Sequence, residues 1–175
     1  MKTASRFMPK YVRPRQGRLF AWVFLAVMAC CLIYFLWTHP VGTILVIVGF
    51  ALLVLIEWRR GRKKLSALAA SRKGESICEF ARSFDSRSVD TWVVRAVYEQ
   101  LQEYLGVEYK IPIRASDIFD KDLPVDSEDL DIDLSSEIAQ RTIRTMENAD
   151  SNPFYGKVKT VADLVYFFNA QPRAT

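Results

Sequence analysis

The chain has 175 residues, half of them hydrophobic, with a formal charge of +4, one histidine and three cysteines. So few histidines and such scattered cysteines exclude a zinc cluster and a disulfide framework, and much enzyme chemistry with them. The small net charge is a cancellation. Residues 1–73 hold 13 of the 24 bases and one acid, Glu57, whereas residues 74–175 hold 11 bases and 19 acids. Such asymmetry between halves points to membrane attachment or a charged tail.

Leu19 to Thr38 runs 20 residues without a charged side chain, and Val41 to Ile56 adds 16 more before Glu57 and Trp58. A helix rises about 1.5 Å per residue, so roughly 20 apolar residues cross a hydrocarbon core. The first run meets that length; the second sits at the short end and needs Trp58 or local bilayer thinning. A soluble helical pair would have to hide both helices on every face, and the remaining chain is too short to wrap them. The sequence therefore predicts a basic N-terminus over 1–18 and a transmembrane hairpin over 19–58, with spans 19–38 and 41–58 joined by His39-Pro40. Bases flank both outer ends and none lies in the turn, so the positive-inside rule places both termini in the cytoplasm of a bacterial-type inner membrane. Trp22, Trp37 and Trp58 lie near the span ends, where amphipathic rings favour the interface. Val27-Met28-Ala29-Cys30 is similar to a lipoprotein cleavage box, but the apolar run continues seven residues beyond Cys30.

Residues 59–73 read as a basic juxtamembrane linker. Interleaved aromatics and base-reading motifs are missing, so nucleic acid is not an expected partner. The expected partners are the bilayer and its anionic headgroups, each base contributing about 1 kcal/mol near the surface.

Residues 74–175 read as an acidic, all-helical cytoplasmic domain. Ile77, Phe80, Ala81 and Phe84 form one stripe of a short helix. Asp90 caps a longer helix through Leu105, with Val93, Val97, Leu101 and Leu105 inward and Gly106 as its stop. The acidic loop 107–129 follows, with Ile111, Ile113, Ile118, Phe119 and Leu123 expected to pin it to the helices. A third helix is predicted over Leu130–Met146, with Leu130, Leu134, Ile138 and Thr142 on one face and acids in its first turns. Thr160-x-x-Asp163 reads as a capping box opening a last helix, Val161 to about Ala170, which Pro172 ends.

This order of features resembles the acyl carrier protein family over about residues 89–170. The most specific stretch is Phe119-Asp120-Lys121-Asp122-Leu123-Pro124-Val125-Asp126-Ser127-Glu128-Asp129, where Asp122-Leu123 and Asp126-Ser127 fall at the family's spacing. Val158-Lys159-Thr160-Val161-x-Asp163-Leu164 is similar to the start of the carriers' final helix. The resemblance implies an acyl-carrier-like bundle and places Ser127 where carriers bear phosphopantetheine. Two departures stand out: Pro124 replaces the usual glycine, and Glu128 replaces the apolar residue that follows the serine. A carboxylate buried there without a partner costs several kcal/mol, so the helix start has to turn outward, begin later or lie frayed.

Two functions follow. The first is an interaction module, without a cofactor, that recruits a basic protein surface through Asp126, Glu128, Asp129, Asp131, Asp133 and Glu137. The alternative is a working carrier with an acyl or aminoacyl thioester on phosphopantetheine at Ser127. An enzyme is not expected, since the sole histidine sits in the hairpin turn and neither a nucleophile elbow nor a glycine-rich phosphate loop is present.

Overall fold

The computed structural model describes residues 4–12, 19–106, 111–125 and 134–174. Among them are six α-helices and no strands: α1 (Leu19–Thr38), α2 (Pro40–Ser71), α3 (Ile77–Arg82), α4 (Thr91–Tyr104), α5 (Ser135–Thr142) and α6 (Val161–Ala170). The chain forms two compact units, Val12–Lys64 and a second made of Met1–Tyr11 together with Leu65–Thr175.

The first unit holds α1 and most of α2, both long and apolar enough to cross a membrane. Their apolar side chains point in all directions and are almost all exposed. Nor do the two helices pack along their length. In lipid no hydrophobic force would drive them together, because acyl tails are as apolar as leucine. Only His39 separates them, and Pro40 is the first residue of α2, where its missing N–H leaves no bond unmade. The turn is closed by hydrogen bonds. His39 N–H donates to the Phe35 carbonyl (2.8 Å), and the Thr43 hydroxyl donates to the carbonyls of Phe35 (3.1 Å) and His39 (2.8 Å).

α2 corrects the expected linker. The helix runs through the basic stretch to Ser71, because arginine, lysine, leucine and alanine are good helix formers and no proline interrupts them. Its last turns belong to the second unit. Leu65, Leu68 and Ala69 pack against that unit's core, one helical stripe completed by Arg72.

In the second unit burial is one-sided. α4 is the central helix and packs against α3, α5 and α6. The Asp90 carboxylate caps it by accepting from Trp92 N–H (3.1 Å), and Val93, Ala96, Val97 and Leu101 are fully buried. α3 opens with a Ser76–Glu79 capping box and buries Phe80 and Phe84, whose rings meet edge to face with centroids 5.2 Å apart. Ala81, expected on that stripe, is exposed. α6 opens with the expected Thr160–Asp163 box and buries Val161, Leu164, Val165 and Phe168. In the loop, Ile111, Ile113, Phe119 and Leu123 are buried as expected, whereas Ile118 is exposed.

The third helix is shorter than the sequence predicts. It ends at Thr142, because Ile143 adopts a left-handed conformation (φ 55°). The chain end supplies the reason. Thr145 N–H donates to the Pro172 carbonyl and Ala174 N–H to that of Ile143, so residues 143–145 pair with 172–174 instead of continuing the helix. Leu134, Ile138 and Thr142 of the expected face are buried, and Leu130 lies outside the described residues.

Part of the basic N-terminus belongs to the second unit. Ser5–Phe7 forms a single 3-10 turn against α4, and Met8 is 8% exposed within the core.

Candidate functional site

Of the residues expected to form the acidic face, Asp126, Glu128, Asp129, Asp131 and Asp133 lie outside the described residues, as does Ser127, the candidate phosphopantetheine site. Glu137 is described, in the first turn of α5. Its carboxylate accepts from Gln100 Nε2 at 2.6 Å, so it joins the seam between α4 and α5 and does not stand alone on a solvated face.

The loop that leads to Ser127 is held firmly at its N-terminal side. Asp122 accepts from Ile118 N–H (3.0 Å) and returns its own N–H to the Ile118 carbonyl (2.9 Å). Asp120 stands at φ 64°, a left-handed conformation that aspartate tolerates through its short polar side chain. Its N–H donates to the Val125 carbonyl (3.2 Å), closing a small knot around the buried Leu123 and Val125. The knot is fixed to the start of α6. Phe119 N–H donates to the Lys159 carbonyl (3.1 Å), and Val161 N–H to that of Asp117 (3.0 Å). The residues that carry the family resemblance on either side, Asp122-Leu123 and Thr160–Asp163, are therefore neighbours in space.

A buried ion pair ties this loop to Arg72, the residue that follows α2. Arg72 Nη1 and Nη2 meet the two carboxylate oxygens of Asp117 at 2.6 and 2.7 Å, with the side chains 6% and 4% exposed. Arg72 also donates to the Pro112 carbonyl (2.9 Å), and Asp117 accepts from Arg114 N–H (2.8 Å). Each charge is thus satisfied more than once, as a charge withdrawn from water requires. This corrects part of the lipid assignment: Arg72 is buried and unavailable to headgroups. The leucine and alanine spacing before it, Leu65, Leu68, Ala69, Arg72, is the sequence signal that marks those turns as part of the folded unit.

Further charge sits at the opposite end of α4. Asp90 receives Arg173 (3.0 Å) and Arg144 (3.5 Å), and Arg144 also donates to the carbonyls of Asn169 (3.1 Å) and Gln171. Burial pushes the Arg144 guanidinium below its ordinary pKa, and the Asp90 carboxylate opposes that shift. On the loop side, Arg114 holds the Glu75 carboxyl below its ordinary value by hydrogen bonding to it. Both clusters join segments of the domain.

A cavity of about 680 Å³ opens between the loop knot and α6 and is lined by Phe119, Asp120, Ser135, Met146, Leu164 and Phe167. Among the described residues no group of three histidine, cysteine or carboxylate side chains is placed to hold a metal ion.

A second constellation, around Arg141 on α5, gives no warning in the sequence. Arg141 is 5% exposed and its guanidinium is held by Gln100 Oε1 (2.7 Å) and by Glu99. Glu99 is also paired with Arg95 (3.0 Å). The two arginines then reach the N-terminal arm: Arg95 Nε donates to Ser5 Oγ and Arg141 Nε to the Pro9 carbonyl, both at 3.3 Å. A lone methionine in a basic tail carries no periodicity, so neither the docking of Met8 nor this network was legible.

Against protein families, curated proteins and solved structures, the chain matches none.

Proposed function

We propose that this chain is a membrane-anchored, acyl-carrier-like interaction module that recruits a partner protein at the cytoplasmic face of a bacterial-type inner membrane. One observation carries the topology. The chain leaves the folded unit at Tyr11, passes through two membrane-length apolar helices, and rejoins the same unit at Leu65. An even number of crossings is the only path by which both ends return to one compact body. The bases Arg13, Arg15 and Arg18 before α1, and Arg59 to Lys64 on α2, then assign that side to the cytoplasm.

Charge supports the binding role. The segment beyond Lys73 carries eight more acids than bases, on a domain tethered beside an anionic bilayer that repels it. A partner with a basic surface is steered to such a domain and accelerated in its approach. The carrier-like character is supported by the docking of the Asp122-Leu123 knot on the Thr160–Asp163 cap, the two stretches that carry the resemblance.

The test is capture of partners by the full chain in lipid nanodiscs. Asp129, Asp131 and Asp133 reversed together to lysine should abolish capture while the helical signal in circular dichroism stays unchanged. Equal capture by the reversed chain overturns the acidic-face reading. A reporter fused after Thr175 that is active only outside the cytoplasm overturns the topology.

A further inference from the structure

The N-terminal arm lies in a groove that it does not fill. On one side of it a cavity of about 390 Å³ is lined by Lys10 and Tyr11 of the arm and by Glu99, Gln102, Glu103 and Arg141. On the other side, beyond Ser5, a mainly apolar cavity of about 200 Å³ is floored by Ile77 of α3, Val94 of α4 and Phe84 and Val89 of the segment between them. Met8, which lies between Ser5 and Lys10 in the chain, is buried.

The groups that grip the arm are set in place by contacts that do not involve it. Glu99 and Gln100 fix the Arg141 guanidinium, Glu137 fixes Gln100, and Glu99 fixes Arg95. What they offer is a donor for a backbone carbonyl, a donor for a hydroxyl and a socket for one flexible apolar side chain. None of these reads the arm's identity. Any extended segment with an apolar residue at the socket and a base near Glu99 and Glu103 meets the same partners. Binding to donors already held in position avoids the entropy of ordering them.

From this preformed, part-filled groove we infer that the α4–α5 face under the arm is a docking site for an extended basic peptide segment of a partner protein, and that the arm is its built-in competitor. The inference rests on the proposed role in partner recruitment and names the partner's chemistry and its control. The arm belongs to the same chain and so competes intramolecularly, without the cost of bringing in a separate molecule. A partner therefore wins only by using what the arm leaves empty, with an apolar side chain in the α3–α4 cavity.

The experiment uses the full chain in phosphatidylcholine nanodiscs and a fluorescein-labelled peptide of residues 4–12, read by anisotropy. Wild-type protein should bind this peptide weakly. Met8→Asp puts a carboxylate in the socket and releases the arm, so the peptide should bind about tenfold or more tightly. Deletion of residues 1–11 should give the same gain by a route that leaves the socket intact. Adding Glu103→Lys, at an exposed position, to the deletion should lower the affinity about tenfold. A peptide carrying Ser5→Leu should bind more tightly than the parent.

Equal binding to the wild-type and deleted chains overturns the inference, as does equal binding of a scrambled peptide of the same composition. Capture of a partner that needs Asp129, Asp131 and Asp133, by a chain whose freed groove ignores the peptide, overturns the groove and leaves the proposed function standing. Peptide binding with no partner captured supports the groove and overturns that function.

Discussion

The two compact units spend similar side chains in opposite ways. In the unit Val12–Lys64, phenylalanines such as Phe24 are exposed (61%) and apolar residues cover the whole helix surface. In the unit from Leu65 onward, Phe168 on α6 is fully buried, while Asp163 and Tyr166 on the same helix meet solvent. Burial is thus decided by distribution around the helix. An all-round apolar helix needs an apolar solvent, whereas a one-sided helix makes its own interior by meeting others. Arg72 sharpens the contrast, because it directly follows α2, a helix that starts apolar all round, and is buried in the folded unit by a carboxylate 45 residues away.

The largest effect should come from cutting at that junction. A fragment of residues 74–175 lacks Arg72 and leaves Asp117 buried without its counter-charge. Removing one partner of a buried pair costs about 3–5 kcal/mol. Thermal melts should show the fragment starting at 65 far more stable than the one starting at 74, and Arg72→Ala in the full chain should lose as much. Replacing the pair together, Arg72→Met with Asp117→Leu, should recover most of the loss, since no charge is then stranded.

A matched pair of truncations tests the contrast directly. Phe168→Ala opens a cavity in a packed core, at a cost of about 3–5 kcal/mol. Phe24→Ala should leave the melt of the folded unit within about 0.5 kcal/mol, as exposed substitutions usually do. Comparable losses from both would mean that α1 is packed against protein and would dissolve the distinction.

Thr160→Ala removes the hydroxyl that accepts from Asp163 N–H, and should cost about 1 kcal/mol in the same melt. The other half of that cap responds to pH. Burial pushes the Asp163 carboxyl up, but the backbone and hydroxyl bonds from Thr160 and the Lys159 N–H outweigh it and hold the group below its ordinary value. A depressed folded value gives stability that is full above the unfolded value and lost as pH falls through the folded one. Wild type should therefore exceed Asp163→Asn in melting temperature at neutral pH, with the gap closing below about pH 4.

The smallest effect is expected at Ser127. Ser127→Ala should cost at most a cap, about 1 kcal/mol, and leave partner capture unchanged. Intact mass of chain made beside a phosphopantetheinyl transferase should equal that of the unmodified polypeptide. An adduct on Ser127 together with lost capture in the alanine variant would favour the carrier function.

Much of this molecule was legible because its signals are local. The two membrane-length apolar helices follow from run length, and the capped starts of α4 and α6 from residues within one turn. The inward stripe of α4 follows from four-residue steps. What escaped depended on distant chain. The third helix reads as continuing to Met146, yet stops at Thr142 because residues 172–174 offer residues 143–145 better partners. The stretch 59–73 reads as a basic linker when charge is weighed, yet Leu65, Leu68 and Ala69 take its end into a core that lies beyond it in sequence.

By itself, then, the sequence determined which helices are long and apolar enough to cross a membrane, because run length needs no partner to be read. It determined the helices too, since their hydrogen bonds and caps close within a few residues. The tertiary structure alone decided where the folded unit begins, that Met8 and the arm belong to it, and that Arg72 and Arg141 serve inside it. Those outcomes rest on pairings across tens of residues, where a buried charge or a lone side chain takes whatever partner the fold brings near.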